Sequence, residues 1–454
     1  MTVDNLWERA VALHLAKDFA AAEAAYDQLL TQNHANPGLL ATLGTLYLET
    51  GRTGLAIALL QASMKYGKRQ SDVLSNLGVA YRNAGLPDKA RACLEESVKG
   101  DVSPQGLANY AGMFIESADQ EKAVKACEKA LAADPELPIA HWNLGLMQLS
   151  QGKWETAWDE HEWGLKTNGM RVNRELGGVP EWDGTPGKRI IIYGEQGIGD
   201  EIMFASMLPD VLKDNEVILE CHERLVTLFQ KAFPEVTVYG TREQQCPEWL
   251  ANETADCRMA IGSLGKFYRR SAESFPGTPY LKAEPVASGE KFRVGISWTG
   301  GYKQGRIVKR SVPLSWWKPI LNIPNVEFVS LQYTDCAEEL EMVNALGPYD
   351  IKTDEAVRAH DYYETARLVQ SCDLVISVCT SVIHLAGALG VPCWVMTPKN
   401  PAWRYGNSGR MNWYRSVRLY RQPEANQDTW IPVIEKVAFD LDELVSKRRI
   451  QRAA

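Results

Sequence analysis

The chain repeats itself over its first third. Ala22, Ala56, Ala90, Ala123 and Ala157 stand 34, 34, 33 and 34 residues apart. A unit of that length cannot bury its own apolar face, so like units must stack side by side and share one continuous core. Gly51, Gly85 and Gly152 keep the same beat, with Ala118 in the remaining turn position. Leu43-Gly44 with Tyr47 returns as Leu77-Gly78 with Tyr81, and again as Leu144-Gly145 preceded by Trp142. Pro37 after Asn36, Pro104 after Ser103 and Pro135 after Asp134 close successive units.

This pattern resembles the tetratricopeptide repeat, a helix–turn–helix whose small residues permit close helix packing. The resemblance covers about five repeats, from Asn5 to Lys166. Such repeats stack into a superhelix whose concave face commonly binds extended peptide. Asn76, Asn109 and Asn143 fall at matching positions on the first helix of their repeats. In peptide-binding superhelices asparagines there contact the ligand backbone; solvated or capping side chains of the repeat pattern are the other reading.

The last repeat runs into Trp154, Trp158 and Trp163 at spacings of 4 and 5, which predicts one apolar helical seam docking on the next domain. A loop rich in Gly, Pro and Asn follows, from Thr167 to Lys188. Beyond it the period changes. Apolar runs at 190–193, 217–220, 236–239 and 256–261, then at 293–298, 327–331, 373–377 and 393–396, read as strands alternating with helices. That alternation implies right-handed βαβ units and parallel sheets. The expected organisation is an all-α repeat superhelix over 1–170 and a linker over 171–188. An α/β lobe over 189–288 and a second over 289–454, ending in a helix, complete it. Ligands of such sheets bind beyond the carboxyl ends of the strands, in the cleft between the lobes.

Three stretches follow strand ends. The first is Gly194-Glu195-Gln196-Gly197-Ile198-Gly199-Asp200, a glycine turn before a helix. Glycines admit close approach of backbone, and a helix start favours anions. Asp200 opposes bare phosphate there and suits base chemistry or a hydroxyl contact; a helix-capping Asp in an ordinary turn is the bland alternative. Gln196, Gly197 and Gly199 supply the backbone of this turn. The second stretch, 299–311, holds Lys303, Arg306, Lys309 and Arg310 with three glycines and no acid, as binding a phosphate requires. In the third, a strand ends at Ser377 and Thr380-Ser381 open a helix they can cap, with His384 one turn in.

The net charge of −8 argues against nucleic acid or an anionic membrane as the partner. No apolar run approaches the roughly 18 residues a membrane helix needs, and the N-terminus lacks the form of a secretory signal. Nine cysteines without a CxxC pair suit reduced thiols, and with them a cytoplasmic location.

Taken together, GEQGIGD, the loop ending Lys309-Arg310-Ser311, DLVISVCTSVIHLAGALGVPCWV, Trp403-Arg404-Tyr405 and Trp413-Tyr414 resemble bacterial glycosyltransferases related to the lipopolysaccharide heptosyltransferases. Within that group the chain is similar to the branch with N-terminal tetratricopeptide repeats. The resemblance implies a GT-B fold of two Rossmann-like lobes and inverting transfer from a nucleotide-sugar, without a metal or other cofactor. It implies Asp200 as general base, and Arg310, assisted by Lys309 or Arg306, as neutralising the leaving diphosphate. Thr380, Ser381 and His384 would complete the donor side. Relatives usually carry Asp where this chain has Cys379. The favoured expectation is transfer to a protein hydroxyl, flagellin-like, held by the repeats. A glycolipid acceptor and a non-catalytic adaptor are the alternatives; the donor nucleotide, its sugar and self-association stay open.

Overall fold

The computed structural model describes residues 3–67, 70–115, 117, 119–167, 169–300, 310–347, 349–426 and 429–453. The chain divides into two compact units, Met1–Leu144 and Gly145–Ala454.

The first unit is built of helical hairpins. Its helices are α1 (Val3–Leu15), α2 (Phe19–Gln32), α3 (Pro37–Glu49), α4 (Thr53–Tyr66), α5 (Ser71–Asn83), α6 (Pro87–Ser97), α7 (Pro104–Phe114) and α8 (Gln120–Ala133); α9 (Pro138–Ser150) runs across the boundary. Local chemistry sets their ends. Asn36 and Ser103 cap α3 and α7 by accepting from Leu39 N and Gly106 N, with proline in the first helical position. Gly51 and Gly85 turn the chain between paired helices at φ of 76° and 74°, left-handed backbone that glycine adopts without strain. Ala118, the expected equivalent, lies outside the described residues. The repeated small residues explain the close packing: a Cβ on Gly44 would sit 2.9 Å from Leu60, and one on Gly78 2.5 Å from Leu94.

The second unit holds two sheets. β1 (Arg189–Tyr193), β2 (Glu216–Glu220), β3 (Thr237–Tyr239) and β4 (Cys257–Ala260) form a parallel sheet in the order β3-β2-β1-β4. β5 (Phe292–Ser297), β6 (Val326–Ser330), β7 (Leu374–Val378), β8 (Cys393–Thr397), β9 (Arg410–Met411) and β10 (Tyr414–Arg421) form the other, in the order β6-β5-β7-β8-β10-β9. It is parallel except for the β9–β10 pair. The eight apolar runs of the sequence are all strands. β9 and β10 were not expected from it, because β10 alternates Arg415, Arg418 and Arg421 with its buried residues.

The unit also includes α10 (Trp154–Glu162), the second helix of the last repeat. Trp158 is 1% exposed, donates its indole N–H to Arg269 O at 2.7 Å, and lies over Gly265, where a Cβ would come within 2.5 Å of its ring. Its ring meets Trp403 edge-on at 5.9 Å and Trp413 at 6.5 Å, while Trp154 packs on Phe275 at 4.7 Å. Trp163 lies just past α10, which ends at Glu162, and its indole carries Lys166 Nζ over its face at 3.7 Å. The loop after α10 is anchored by Arg171, whose side chain is 0% exposed and pairs at 2.7 Å with both Glu162 and Glu195. The C-terminal helix Trp430–Ala453 packs on the second sheet through Trp430, Ile434, Val437 and Leu441.

Candidate functional site

β1 delivers the glycine turn. Glu195 is fully paired with the buried Arg171 and also accepts from Gly262 N at 3.1 Å, so the turn leaves the strand in a fixed direction. Gln196 follows at φ 63°, a left-handed conformation uncommon outside glycine, and its buried Nε2 has no partner among the described residues. α11 (Ile198–Ala205) then starts earlier than the glycines suggest, with Gly197 as its cap residue. Asp200 therefore sits in the first helical turn, where its Oδ2 accepts from Gly197 N at 3.3 Å. Gly199 faces another helix: a Cβ there would be 3.2 Å from Ser381 Cα and 3.1 Å from His384 Cδ2.

Beneath the turn lies Glu201, 0% exposed, which accepts from His222 N at 2.9 Å and pairs with Arg242. Burial outweighs that arginine and pushes the carboxyl up to about 7. Gly194 makes room for it, since a Cβ there would lie 2.6 Å from the Glu201 carboxyl carbon.

The second sheet supplies the facing helix. β7 ends at Val378, Cys379 follows, and α13 (Ser381–Leu389) begins after Thr380; α12 (Tyr362–Gln370) lies beside it. The expected side-chain cap is not formed. Thr380 Oγ1 pairs with Ser377 Oγ at 3.2 Å and Ser381 Oγ accepts from Tyr362 O–H at 3.1 Å, so neither hydroxyl caps the first-turn N–H groups. His384 is 3% exposed, with Nδ1 3.3 Å from Tyr414 O–H. Burial, aided by the charge of Arg404, holds its pKa well below 6.5, so the ring is neutral.

Of the expected basic residues, Arg306 and Lys309 lie outside the described residues. Arg310 is placed by the close approach of Gly300 to Cys379: a Cβ on Gly300 would be 2.9 Å from Cys379 O and 3.3 Å from Arg310 Cβ. Two further arginines reach the same region and were not assigned from sequence. Arg404, on the short turn Trp403–Tyr405, donates through Nη2 to Asp200 Oδ1. Arg421, at the end of β10, donates to the carbonyls of Lys399, Gly406 and Ser408 at 2.9–3.3 Å, and burial pushes its pKa down. Tyr405 joins them: it is buried, its hydroxyl feels Cys379, Arg404 and Arg310 together, and burial raises its pKa well above 10. The buried Thr397 Oγ1 at the end of β8 and the buried Arg404 Nε have no partner among the described residues. Trp403-Arg404-Tyr405 was legible as a motif, but nothing in its spacing shows that it meets Asp200, some 200 residues earlier in the chain.

In the repeats, the three asparagines each bridge to the preceding first helix. Asn76 Nδ2 donates to Thr45 Oγ1 at 3.0 Å, Asn109 Nδ2 to Ser75 Oγ at 3.1 Å, and the buried Asn143 Nδ2 to Ala108 O at 2.9 Å. They form an inter-repeat ladder.

These helical pairs are tetratricopeptide repeats: the model of that repeat matches residues 42–104 and 115–160. Along most of its length the chain is similar to Protein FlbA of Caulobacter vibrioides, 29% identical over a 436-residue alignment that covers 88% of this chain and 71% of that one. Among solved structures, MamA matches over 35% of this chain and 92% of its own, at 21% identity and a TM-score of 0.28. TTC0263, a tetratricopeptide-repeat protein of Thermus thermophilus, matches over 37% and 92%, at 18% identity and a TM-score of 0.33. No described helix is long and apolar enough to cross a membrane.

Proposed function

We propose that the second unit is a glycosyltransferase, in a GT-B arrangement, that moves a sugar from a nucleotide-sugar to a hydroxyl of a protein bound by the tetratricopeptide repeats. One observation carries the reading. A carboxylate beyond the carboxyl end of β1, Asp200, pairs with Arg404 after β8, while the charge of Arg310, on the segment after β5, reaches the neighbouring Tyr405 and Arg421 at the end of β10 donates to Gly406 O. Asp200 takes the proton of the acceptor hydroxyl as its oxygen bonds to the anomeric carbon. The bond from that carbon to the donor phosphate breaks with inversion, and the nucleoside diphosphate leaves onto the guanidinium groups. The uncapped N–H groups of α13 add to that neutralisation. No step in this scheme needs a metal.

Thermal unfolding of the full chain with UDP, GDP, ADP and CDP tests the reading. A ligand at 100 times its Kd adds about 2.7 kcal/mol, so a donor nucleotide raises the Tm visibly. No shift with any of the four sinks the proposal. Transfer of radiolabelled sugar to proteins that co-purify with the chain, lost in Asp200→Asn, completes the test. A binding module without turnover is the second reading, favoured by the hydrogen bonds that occupy both oxygens of Asp200. It predicts a nucleotide-dependent shift with no transfer.

A further inference from the structure

Each oxygen of the Asp200 carboxylate, whose side chain is 18% exposed, already accepts one hydrogen bond as the site stands. Arg404 Nη2 occupies Oδ1 and the Gly197 N–H occupies Oδ2. The second bond is local to the first turn of α11 and forms wherever that helix forms. The first joins segments more than 200 residues apart and depends on where a single guanidinium points. Arg404 also lies within the electrostatic reach of Tyr405, whose other neighbours are Cys379 and Arg310, on the side of the cations. Its buried Nε has no partner among the described residues, so one edge of the planar donor fork is unused. Thr397 Oγ1, fully buried at the end of β8, is unpartnered in the same way.

We infer that Arg404 is a positioning residue shared between Asp200 and the donor diphosphate: an arriving diphosphate draws the guanidinium away and frees Asp200 to accept a proton. This rests on the glycosyltransferase reading and adds to it an order of events. A carboxylate and a phosphate compete for the same donors, and a diphosphate carries more charge and accepts bidentately. With Arg404 withdrawn, Oδ1 faces the acceptor. Until then Oδ1 is shared with the Arg404 guanidinium, so an acceptor that arrives first competes with it. Binding energies of coupled sites are reciprocal, so a pair that diphosphate must break weakens diphosphate binding by the same factor. Removing the Asp200 charge must therefore tighten the binding of a product lacking any sugar.

Calorimetric titration of the full chain with UDP, GDP, ADP and CDP, and with inorganic pyrophosphate, tests this in wild type, Asp200→Asn, Arg404→Gln and the double variant. With the nucleotide that wild type binds, Asp200→Asn binds threefold to tenfold tighter and Arg404→Gln at least tenfold weaker. The double variant matches Arg404→Gln, because the gain has no guanidinium to act through. Arg404→Lys, which keeps the charge and loses the fork, falls between wild type and Arg404→Gln and stands in should Arg404→Gln fail to fold. Wild-type binding with no gain in Asp200→Asn, or a gain that persists in the double variant, overturns the coupling and leaves the transferase reading intact. Absence of binding by wild type and every variant overturns both. A merely structural role for Arg404 leaves any gain from Asp200→Asn the same with and without the guanidinium.

Discussion

The two helices that meet at Gly199 begin in the same way and present opposite chemistry. Each follows the carboxyl end of a parallel strand, β1 for α11 and β7 for α13, and each opens with small or short side chains. α11 neutralises its own start: Asp200 turns back onto the Gly197 N–H and Glu201 follows it. α13 has no acid in its first turn and no side-chain cap, and the cations gather beside it. A helix start that supplies its own carboxylate has little left to offer an anion, whereas one left bare has its dipole unopposed. The pair shows how one fold motif yields a helix start that carries its own carboxylate on one side and a bare helix start on the other.

The largest expected effect breaks the first half of that comparison. If the proposed transfer is right, Asp200→Asn keeps the shape, removes the proposed proton acceptor and lowers the rate of sugar transfer by about 10²–10⁴, the usual worth of general base catalysis. A residual rate near that of wild type, measured with radiolabelled donor, would remove Asp200 from the chemistry. Next comes the cradle. Arg310→Gln loses a charged hydrogen bond worth about 1.5–3 kcal/mol, so nucleoside diphosphate binds roughly 10–100-fold more weakly by calorimetry. Unchanged affinity would shift the anion away from α13.

A smaller effect sharpens the seam itself. Gly199→Val forces atoms into backbone at Ser381 Cα, 3.2 Å from the ideal Cβ position, and costs about 1–3 kcal/mol in denaturant unfolding. Gly197→Val, whose Cβ meets only Asp200 Oδ2 at 3.4 Å, costs less. Equal losses would mean that the helices do not approach closely at Gly199.

The smallest effect lies in the pH dependence. Glu201, under α11, has its pKa raised to about 7 from 4.5, so its contribution is complete below about 4.5 and is lost as pH rises to 7. His384, in α13, has its pKa held well below 6.5, so its contribution is complete above 6.5 and is lost as pH falls beneath it. Between pH 5 and 6.5 the two oppose each other at about 1.4 kcal/mol per pH unit. Glu201→Gln therefore loses stability on acidification more steeply than wild type, and His384→Asn less steeply, by urea midpoints at pH 5, 6 and 7. Parallel slopes in the three proteins would refute both assignments.

The repeats and eight of the ten strands among the described residues were legible because each rests on a local period: 34 residues in one case, short apolar runs bounded by glycine and proline in the other. Asp200, Arg310, Thr380, Ser381 and His384 were legible as strand-end residues by the same logic. The Arg404–Asp200 pair was not, since no spacing links two elements of different sheets. Nor was the use of the Thr380 and Ser381 hydroxyls, which depends on Ser377 and Tyr362 arriving from the side. The asparagine ladder shows the same limit: a repeat reveals that Asn76, Asn109 and Asn143 are equivalent, but not that their amides face the preceding repeat.

Trp158 bears on where this chain can be cut. Its indole closes over Gly265, bonds Arg269 O and stacks edge-on against the tryptophan next to Arg404. A fragment starting after the last repeat, at 171, would leave that socket empty and the turn bearing Arg404 unsupported. One starting at 145 would keep the plug with the part it seals.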